Sequence, residues 1–350
     1  MKVVVTGGGT GGHIYPMATV ANYLREKHSA EILYIGNEDT FFPDKRLSEY
    51  FNLPFVGISS KGLEGKNPLP FLWRNGKGLA QARKVLKKYQ PDIVFSTGGF
   101  VSFPVVMAAS TLGIPYVLHE QNTIMGKVNR LASKKASKVL HTFPIYQSEN
   151  TVVTGNPVRF QSPLSKEGEH ILFLGGSGGS VALNEAGVEF ALAHPDIPVL
   201  IQTGKNLYDK TEELASRKQA GKNLTLIPYA NDMMDLYKEA KCIVTRSGSG
   251  SIFEIANLGI PSIFVPLPNS AEDHQKKNAL FFTQENAAIM VEQGSNFQTN
   301  LEENLVELWQ KDTVRNELKE NLSRLAIREC ESKIANELLS VIDNHTTHKE

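Results

Sequence analysis

The amino-acid sequence predicts an α/β fold made of two domains, each built around a parallel β-sheet. Short apolar segments typical of buried strands alternate with segments in which apolar residues recur every three or four positions, the pattern of helical crossovers. This alternation restarts near the middle of the 350 residues. Each half also opens with a strand that runs into a glycine-rich loop. We therefore predict two Rossmann-like domains.

The predicted strands are short runs rich in Val, Ile and Leu, six in each half of the chain. In the first half they are Lys2–Thr6, Glu31–Ile35, Pro54–Ile58, Asp92–Ser96, Tyr116–His119 and Lys138–His141. In the second half they are His170–Leu174, Val199–Gln202, Leu224–Ile227, Cys242–Thr245, Ser262–Val265 and Ala287–Val291.

The boundary between the two domains is predicted near Gly155–Arg159, a segment with the Gly, Asn and Pro typical of a linker. Residues 1–157 then form the first domain and residues 158–330 the second. The tail from Thr313 to about Asp343 has a helical pattern. The sequence leaves open whether residues 331–350 return to the first domain.

The balance of charges and the cysteine content limit the class of protein. Lys plus Arg and Asp plus Glu each number 37, so no excess of positive charge favours a nucleic-acid partner. Cys242 in a predicted strand and Cys330 in a late helix indicate a reducing compartment and no metal framework. No signal-peptide pattern opens the chain, and no segment resembles a membrane-spanning helix. These features predict a cytoplasmic protein.

A strong functional signal follows the predicted strand that ends at Thr245. The small residues Ser247–Ser251 come next, and a helix pattern follows them. Ser249, Gly250 and Ser251 therefore lie at a helix N-terminus, at the carboxyl end of a strand. Unpaired backbone N–H groups and the positive end of the helix dipole favour an anion there.

Glu254 lies about one turn into this predicted helix. A carboxylate at such a position can accept hydrogen bonds from the two hydroxyls of a ribose, as the acidic residue of dinucleotide-binding folds does. The alternative is an acidic residue that only interacts favourably with the helix dipole.

The first glycine loop, Gly7–Gly12, fits the pattern G-x-G-x-x-G after a strand, so a dinucleotide site must be considered. A nicotinamide site needs an acidic residue at the end of the second strand, but that strand ends in Asn37 and the first acid, Glu38, comes late. His13 follows the loop directly. The loop therefore favours a site near a phosphate over an oxidoreductase.

The second glycine loop, Gly175–Gly179, contains Ser177 and precedes another predicted helix. Together with Ser249–Ser251 it provides two helix N-termini in one domain, which could hold a diphosphate without a metal. No Asp-x-Asp pair occurs in the chain, which disfavours a divalent-metal clamp on a diphosphate. The alternative for the second loop is a simple tight turn.

Polar residues also cluster after two other predicted strands. His119–Asn122 comes at the carboxyl end of its strand, where open α/β sheets bind ligands. Gln275 and Asn278 share a face of a predicted helix after Pro268. His274 beside them has no partner at a metal-ligand spacing, so no metal is predicted.

The segment Lys61–Lys88 concentrates positive charge beside the apolar run Pro68–Trp73. Its cations are Lys61, Lys66, Arg74, Lys77, Arg83, Lys84, Lys87 and Lys88, against the single acid Glu64. Apolar bulk next to clustered cations is what an anionic membrane surface binds. The predicted membrane patch consists of Phe71, Leu72, Trp73, Lys84 and Lys87. The alternative is an ordinary solvated helix face.

These motifs together resemble the MurG family of bacterial cell-wall glycosyltransferases. The matching residues run in order over nearly the whole chain: Gly7–His13 with Pro16, Gly98–Ser102, His119–Asn122, Gly155–Arg159, Gly175–Ser177 with Asn184, Arg246–Gly248, and Asp273–Gln275 with Asn278. Each motif is weak alone, and the ordered set is specific.

The resemblance implies a GT-B fold, two Rossmann-like domains facing a cleft, with an inverting reaction that needs no metal and no cofactor. It implies transfer of N-acetylglucosamine from UDP-N-acetylglucosamine to the 4-hydroxyl of an N-acetylmuramyl-pentapeptide on a polyprenyl diphosphate. The first domain would bind this acceptor and an anionic membrane surface, and the second domain would bind the donor. The enzyme would act as a peripheral protein on the cytoplasmic face of the cell membrane.

The resemblance also implies the site residues. His13 and Glu120 would be closest to the reaction, and the residues leave open which of them is the base. Residues mapped to the donor site are Thr10, Gly11, Gly12, Asn122, Arg159, Ser177, Ala230, Ser249, Gly250, Ser251, Ile252, Phe253, Glu254 and Gln275. Within this set Ser177 would lie near the diphosphate, Ala230 near the nucleobase and Gln275 toward the sugar.

The chain departs from the family pattern at three positions. Phe100 stands where Tyr is usual, Phe103 where Gly is common, and Gly178 where a long polar residue is frequent. The acceptor is therefore less firmly specified than the donor. Two alternatives stay open: a UDP-sugar:diacylglycerol glycosyltransferase of the same fold, and a non-catalytic UDP-sugar-binding partner protein.

Overall fold

The computed structural model describes residues 1–39, 43–62, 69–145, 148–176, 178–230 and 232–347. The chain forms two compact units, which we call the first unit (Met1–Arg159 with Ile327–Glu350) and the second unit (Phe160–Ala326). No helix in the described ranges is long and apolar enough to cross a bilayer.

The first unit contains a seven-stranded sheet in which neighbouring strands are all parallel, in the order β3-β2-β1-β4-β5-β6-β7. The strands are β1 Lys2–Thr6, β2 Glu31–Asn37, β3 Phe55–Ile58, β4 Ile93–Ser96, β5 Tyr116–Glu120, β6 Lys138–His141 and β7 Thr151–Val153. The edge strand β7 was not predicted, because three partly exposed residues leave little hydrophobic pattern.

Helices cover both faces of this sheet, as a parallel sheet requires. They are α1 Gly11–His28, α2 Asp44–Tyr50, α3 Leu69–Tyr89, α4 Ser102–Leu112 and α5 Lys127–Ala132. Side chains of β1 alternate between two hydrophobic clusters: Val3 and Val5 belong to the one around α1, and Val4 to the one around α3 and α4.

The second unit repeats this topology with a parallel sheet in the order β10-β9-β8-β11-β12-β13. Its strands are β8 His170–Leu174, β9 Val199–Gln202, β10 Leu224–Ile227, β11 Ala240–Thr245, β12 Ser262–Phe264 and β13 Ile289–Met290. Its helices are α6 Val181–Ala193, α7 Tyr208–Arg217, α8 Met233–Glu239, α9 Ser249–Leu258, α10 His274–Gln284, α11 Phe297–Gln310 and α12 Asp312–Leu325. Both sheets have the Rossmann strand order, which confirms the predicted fold class.

The tail, predicted to be helical from Thr313 to about Asp343, consists of two helices. After α12 the chain breaks at residues 326–329, where Glu329 adopts a left-handed conformation (φ 56°), and α13 runs over Cys330–Thr347. Ile334, Ala335 and Leu338 of α13 are fully buried in the cluster around α1. The last helix therefore packs on the first unit.

Candidate active site

A buried carboxylate accepts a hydrogen bond from the backbone of the first glycine loop. Asp44 is fully buried and accepts hydrogen bonds from Gly9 N–H (3.1 Å), Asn37 N–H (3.0 Å) and the hydroxyl of Tyr34 (3.2 Å). Burial and Asp44 raise the pKa of the Tyr34 hydroxyl, which keeps it a donor. The loop ends at Thr10, whose extended backbone precedes the first turn of α1. The N–H of Gly9 therefore donates to Asp44 within the fold rather than to a ligand.

His13 lies in the first turn of α1 and is half-buried. Its Nδ1 is 3.0 Å from the carbonyl oxygen of Thr97 and 3.0 Å from Oε1 of Gln121. The Thr97 hydroxyl donates in turn to the carbonyl oxygen of His13 (2.8 Å). The ring of His13 is therefore tied to the ends of β4 and β5, the two strands that follow β1 in the sheet.

His119 and Gln121 continue this hydrogen-bonded chain into the interior. His119 is fully buried, with Nε2 at 2.8 Å from the carbonyl oxygen of Gly155 and Nδ1 at 2.9 Å from Nε2 of Gln121. Burial lowers the pKa of His119 to about 4, so the ring is neutral at pH 7.

Glu120 is 2% exposed, and both of its carboxylate oxygens accept hydrogen bonds from the loop after β5. Oε1 accepts from the backbone and side-chain N–H groups of Asn122 (3.1 and 3.4 Å). Oε2 accepts from Gly126 N–H (2.9 Å) and from Asn129 Nδ2 (2.9 Å). Glu120 therefore shapes this loop and the start of α5.

Two predicted donor-site residues, Gly11 and Arg159, lie close to the same aromatic ring, that of Tyr15. A Cβ on Gly11 would come within 3.3 Å of the ring of Tyr15. The guanidinium of Arg159, which is exposed, lies 5.4 Å from the centroid of that ring. This is a cation–π distance. Thr10 and Gly12, the chain neighbours of Gly11, are also exposed.

In the second unit, the second glycine loop follows β8 and leads into α6. Gly179 has a positive φ of 77°, and a Cβ there would lie 2.0 Å from the carbonyl oxygen of Thr203, so only glycine fits. The loop ends at Ser180, whose hydroxyl accepts from Leu183 N–H (3.4 Å) and caps the helix. Ser177, the predicted diphosphate contact, lies outside the described residues.

The N-terminus of α9 is capped by Gly248, which has no side chain to satisfy the first turn. A Cβ at Gly248 or at Gly250 would meet no described atom within 4 Å, so space is open around this turn. Ser249 and Ser251 lie in the same turn. By contrast, the side chains of two further predicted donor-site residues are in the core: Ile252 is fully buried and Phe253 is 2% exposed. Only their backbone can face a ligand.

Glu254 lies in the second turn of α9 and is 7% exposed. The hydroxyl of Tyr237, on α8, donates to Glu254 Oε2 (2.9 Å). Tyr237 is itself fixed by an edge-to-face contact with Phe160, with the ring centroids 5.7 Å apart. A second element of the unit thus orients this carboxylate.

Gln275 is held so that its side-chain NH₂ remains available. Its Oε1 accepts from Leu267 N–H (3.0 Å), and its backbone oxygen accepts from the hydroxyl of Ser247 (2.8 Å). Glu272 and Asp273, just before it, are both left-handed (φ 53° and 55°), a strained conformation typical of functional sites. The fold therefore presents a donor at Gln275.

Arg246 connects the two loops of the second unit, although the sequence suggested no role for it. Its Nη2 donates to the hydroxyl of Ser180 (2.7 Å), and its Nη1 donates to the carbonyl oxygens of Val265 (3.1 Å) and Pro266 (3.2 Å) and to Gln293 Oε1 (2.7 Å). All of these acceptors are neutral. The loops after β8 and β11 therefore have a half-buried positive charge between them.

Ala230, the predicted contact to the nucleobase, is half-buried beyond the end of β10. The neighbouring Tyr229 is 45% exposed, with the ammonium of Lys205 4.7 Å from its ring centroid. These groups lie after β9 and β10, on the side of the sheet away from β12.

The predicted membrane patch lies on α3. Leu69, Leu72 and Trp73 are 68%, 60% and 70% exposed, and the spacing places them on one side of the helix. Phe71 is only half-exposed, because it packs on Phe103 with ring centroids 6.1 Å apart. Lys66 and Pro68 belong to 63–68, outside the described residues.

The cations of α3 differ in their partners, and one of them, Arg83, donates to the hydroxyl of Thr111. Arg74 and Lys77 face acidic partners, Asp39 at 3.6 Å and Glu38 at 3.3 Å. Three others, Lys84, Lys87 and Lys88, are exposed and form no ion pair with any described residue.

Several residues that shape these sites were missed or left without a role by the sequence analysis. They are Asp44, Gln121, Tyr237 and Arg246. Only Arg246 and Gln121 had a usable signal, because each is a polar residue directly after a buried strand. The partners of Asp44 and Tyr237 are specified only by the folded chain.

Comparison with known proteins identifies the family. Residues 3–141 match the glycosyltransferase family 28 N-terminal domain, and residues 170–337 match the glycosyltransferase family 28 C-terminal domain. A protein of Bacillus licheniformis is 33% identical over 97% of this chain and 98% of its own length. One of Bacillus subtilis is 35% identical over 84% and 86%. Both are called UDP-N-acetylglucosamine–N-acetylmuramyl-(pentapeptide) pyrophosphoryl-undecaprenol N-acetylglucosamine transferase.

Among solved structures, MurG of Acinetobacter baumannii superposes with a TM-score of 0.80 and 28% identity, covering 97% of this chain and 99% of that one. The UDP-GlcNAc 2-epimerase of Neisseria meningitidis shares the fold, with a TM-score of 0.67 at 16% identity over 97% and 100% of the two chains. The resemblance seen in the motifs is confirmed by these matches over both units. The chain belongs to glycosyltransferase family 28 and, within it, to the MurG family.

Proposed function

We propose that the protein transfers N-acetylglucosamine from UDP-N-acetylglucosamine to the 4-hydroxyl of an N-acetylmuramyl-pentapeptide carried on a polyprenyl diphosphate, a step of peptidoglycan synthesis. The observation that carries this assignment is the relationship, over nearly the full chain, to transferases whose names state this donor and this acceptor. The reaction inverts the anomeric carbon and needs no metal, as the resemblance implies.

The donor diphosphate binds, in this proposal, at the N-termini of α6 and α9 in the second unit. Both helices start at the carboxyl ends of adjacent parallel strands, β8 and β11. Their dipoles and backbone N–H groups stabilise the charge that develops on the departing UDP. Arg246 adds a positive charge whose neutral partners leave it to be balanced by the ligand.

The remaining donor contacts follow from the same unit. Glu254, oriented by Tyr237, accepts hydrogen bonds from the ribose hydroxyls. Gln275 donates to a hydroxyl of the sugar, because its oxygen is already used. Ala230 lies near the nucleobase of UDP. Further donor contacts from Arg159 and from the first glycine loop remain predictions.

The hydrogen bonds favour His13 over Glu120 as the general base of the reaction. Four hydrogen bonds already reach the two carboxylate oxygens of Glu120, so accepting a proton would disrupt the loop that it shapes. Toward the described residues, His13 forms hydrogen bonds only through Nδ1. We assign His13 as the group that takes the proton from the attacking 4-hydroxyl, and Glu120 as a residue that positions the loop after β5.

The test of this function is release of UDP from UDP-N-acetylglucosamine in EDTA, with and without a polyprenyl-diphosphate-muramyl acceptor. We expect rapid release only when the acceptor is present. Turnover on diacylglycerol but not on the diphosphate-linked sugar would favour the first alternative enzyme. UDP-sugar binding with no turnover on either acceptor would favour the non-catalytic protein.

The ribose assignment predicts that Glu254→Gln weakens UDP binding by about 1–3 kcal/mol, the range for hydrogen bonds to charged groups. Glutamine keeps the volume of the side chain and an oxygen for Tyr237, so the fold should be preserved. Calorimetry with UDP and with 2′,3′-dideoxy-UDP measures the effect. The wild type should prefer UDP, and the variant should bind the two ligands alike. Unchanged affinity for UDP would mean that Glu254 does not contact the ribose and has only a structural role.

We also propose that α3 binds an anionic membrane surface, which holds the polyprenyl chain of the acceptor. Trp73, Lys84 and Lys87 share a face of this helix, with Trp73 and Lys84 separated by roughly 17 Å along its axis. Exposed apolar side chains therefore lie at one end of the face and cations without acidic partners at the other. This placement corresponds to a peripheral protein on the cytoplasmic face of the membrane.

The membrane proposal predicts that Trp73→Ala with Lys84→Glu and Lys87→Glu weakens binding to anionic vesicles by about 2 kcal/mol or more, since each cation contributes about 1 kcal/mol. Raising the salt concentration should also weaken the binding of the wild type to these vesicles. The matched control is Lys210→Glu with Lys222→Glu, which changes the net charge equally in the second unit. Wild-type co-sedimentation of the triple variant would place the membrane contact elsewhere.

A further inference from the structure

We propose that Gln121, held in place by His119, is a positioning residue that fixes the tautomer of His13 and leaves Nε2 of that ring as the proton acceptor. This inference rests on the proposed function, in which His13 takes the proton of the attacking hydroxyl.

Both ends of the hydrogen-bonded chain are backbone carbonyl oxygens, which can only accept. At one end the carbonyl of Thr97 lies 3.0 Å from Nδ1 of His13, so Nδ1 must carry the hydrogen. At the other end the carbonyl of Gly155 lies 2.8 Å from Nε2 of His119, so that nitrogen must carry the hydrogen. In neutral rings the two histidines are therefore opposite tautomers.

Gln121 connects the two rings, and only one orientation of its amide satisfies both. Nδ1 of His119 has a lone pair and needs a donor, which Gln121 Nε2 supplies at 2.9 Å. The second hydrogen of the same nitrogen reaches the carbonyl oxygen of His119 (2.9 Å). Oε1 of Gln121 must then face Nδ1–H of His13, at 3.0 Å. His119 thus determines which end of the amide His13 meets.

The neutral state of His119 is essential, because a protonated Nδ1 would repel the NH₂ of Gln121. Burial lowers the pKa of His119 to about 4, and the neighbouring His141 acts in the same direction. Glu120 and Asp44 are two further ionisable groups near these strand ends, and both accept hydrogen bonds from other partners.

The consequence for His13 is a ring poised to accept a proton at one nitrogen. Nε2 of His13 has no hydrogen-bond partner among the described residues, whereas Nδ1 has two oxygen acceptors. When Nε2 takes the proton of the attacking hydroxyl, the positive ring keeps both acceptors at Nδ1, and its charge is stabilised by them. Gln121 therefore acts through His13 and does not touch the substrate in this role.

The test combines Gln121→Met, His119→Phe and the double variant. Methionine has a similar length but makes none of these hydrogen bonds. Loss of a hydrogen bond to a charged ring should lower kcat by about 10- to 100-fold, with donor affinity unchanged. The His119 variant should change kcat in the same direction. Because His119 acts through Gln121, the double variant should be no slower than Gln121→Met.

Nitrogen-15 NMR of histidine-labelled protein provides a readout that a merely structural role would not change. In the wild type, His13 should be protonated at Nδ1 and His119 at Nε2. In Gln121→Met the fraction of His13 protonated at Nδ1 should fall, because that nitrogen loses one of its two acceptors. This measurement needs no substrate, so it separates a wrong acceptor assignment from a wrong positioning role.

The matched control is Gln81→Met, since Gln81 also bridges two partners in the first unit, Ser59 N–H and Glu38. It should leave kcat and the tautomer of His13 unchanged. His13 protonated at Nε2 in the wild type would overturn the proposal, as would a double variant whose loss is the product of the single losses. If His119→Phe does not fold, Gln121→Met and the NMR spectra decide alone.

Discussion

Replacing His13 with asparagine is expected to lower kcat by about 10²- to 10⁴-fold, the usual contribution of a positioned general base. Asparagine can still donate to the carbonyl oxygen of Thr97, so the start of α1 should keep its hydrogen bond. It has no nitrogen that accepts a proton. Because a base acts mainly in the transition state, the affinity for UDP-N-acetylglucosamine should remain within about twofold.

The measurement is steady-state kinetics on the diphosphate-linked acceptor together with calorimetry of donor binding. His28→Asn is the matched control, because His28 lies at the opposite end of the same helix, roughly 22 Å away along its axis. It should retain wild-type kcat. A His13 variant that keeps kcat within a factor of a few would return the base role to Glu120 or to positioning of the substrates alone.

The sequence predicted twelve strands and both glycine loops because these depend on local pattern. Runs of Val, Ile and Leu bounded by turn residues need no knowledge of distant partners. Where the pattern was too short, as in the edge strand Thr151–Val153, the prediction failed. The helix break before Cys330 was missed for a related reason, since Glu329 carries no glycine-like signal for its left-handed backbone.

The site was predicted less completely because its hydrogen bonds join distant parts of the chain. Gln121 and His13 are 108 positions apart, and Gly9 and Asp44 are 35 apart. Sequence patterns placed His119–Asn122 at the end of a strand. They could not show that Glu120 accepts hydrogen bonds from the loop after β5, or that Gln121 forms a hydrogen bond with the ring of His13. The choice between His13 and Glu120 became possible only when their partners were known.

Acidification from pH 7 to pH 5 is expected to destabilise the first unit by about 2 kcal/mol for each of two buried histidines. Burial lowers the pKa of both His119 and His141 from 6.5 to about 4. Between these values the unfolded chain binds protons that the folded chain does not. The free energy of unfolding is therefore highest above pH 6.5, and the contribution of the two histidines is lost as the pH falls toward 4. Domains are typically stable by only about 5–15 kcal/mol, so the effect is large.

Calorimetric unfolding of the wild type and of His141→Gln at pH 7 and pH 5 tests this expectation. Glutamine has no group that titrates in this range, so the variant should lose about 2 kcal/mol less than the wild type on acidification. The two units can unfold separately, so UDP should be added in a parallel scan: the transition that UDP raises belongs to the unit that binds the donor, and the other transition carries the histidine effect. Equal pH dependence in the two proteins would mean that His141 binds its proton equally well in the folded and unfolded chain. His119, whose ring anchors Gln121, would then have to account for the whole effect.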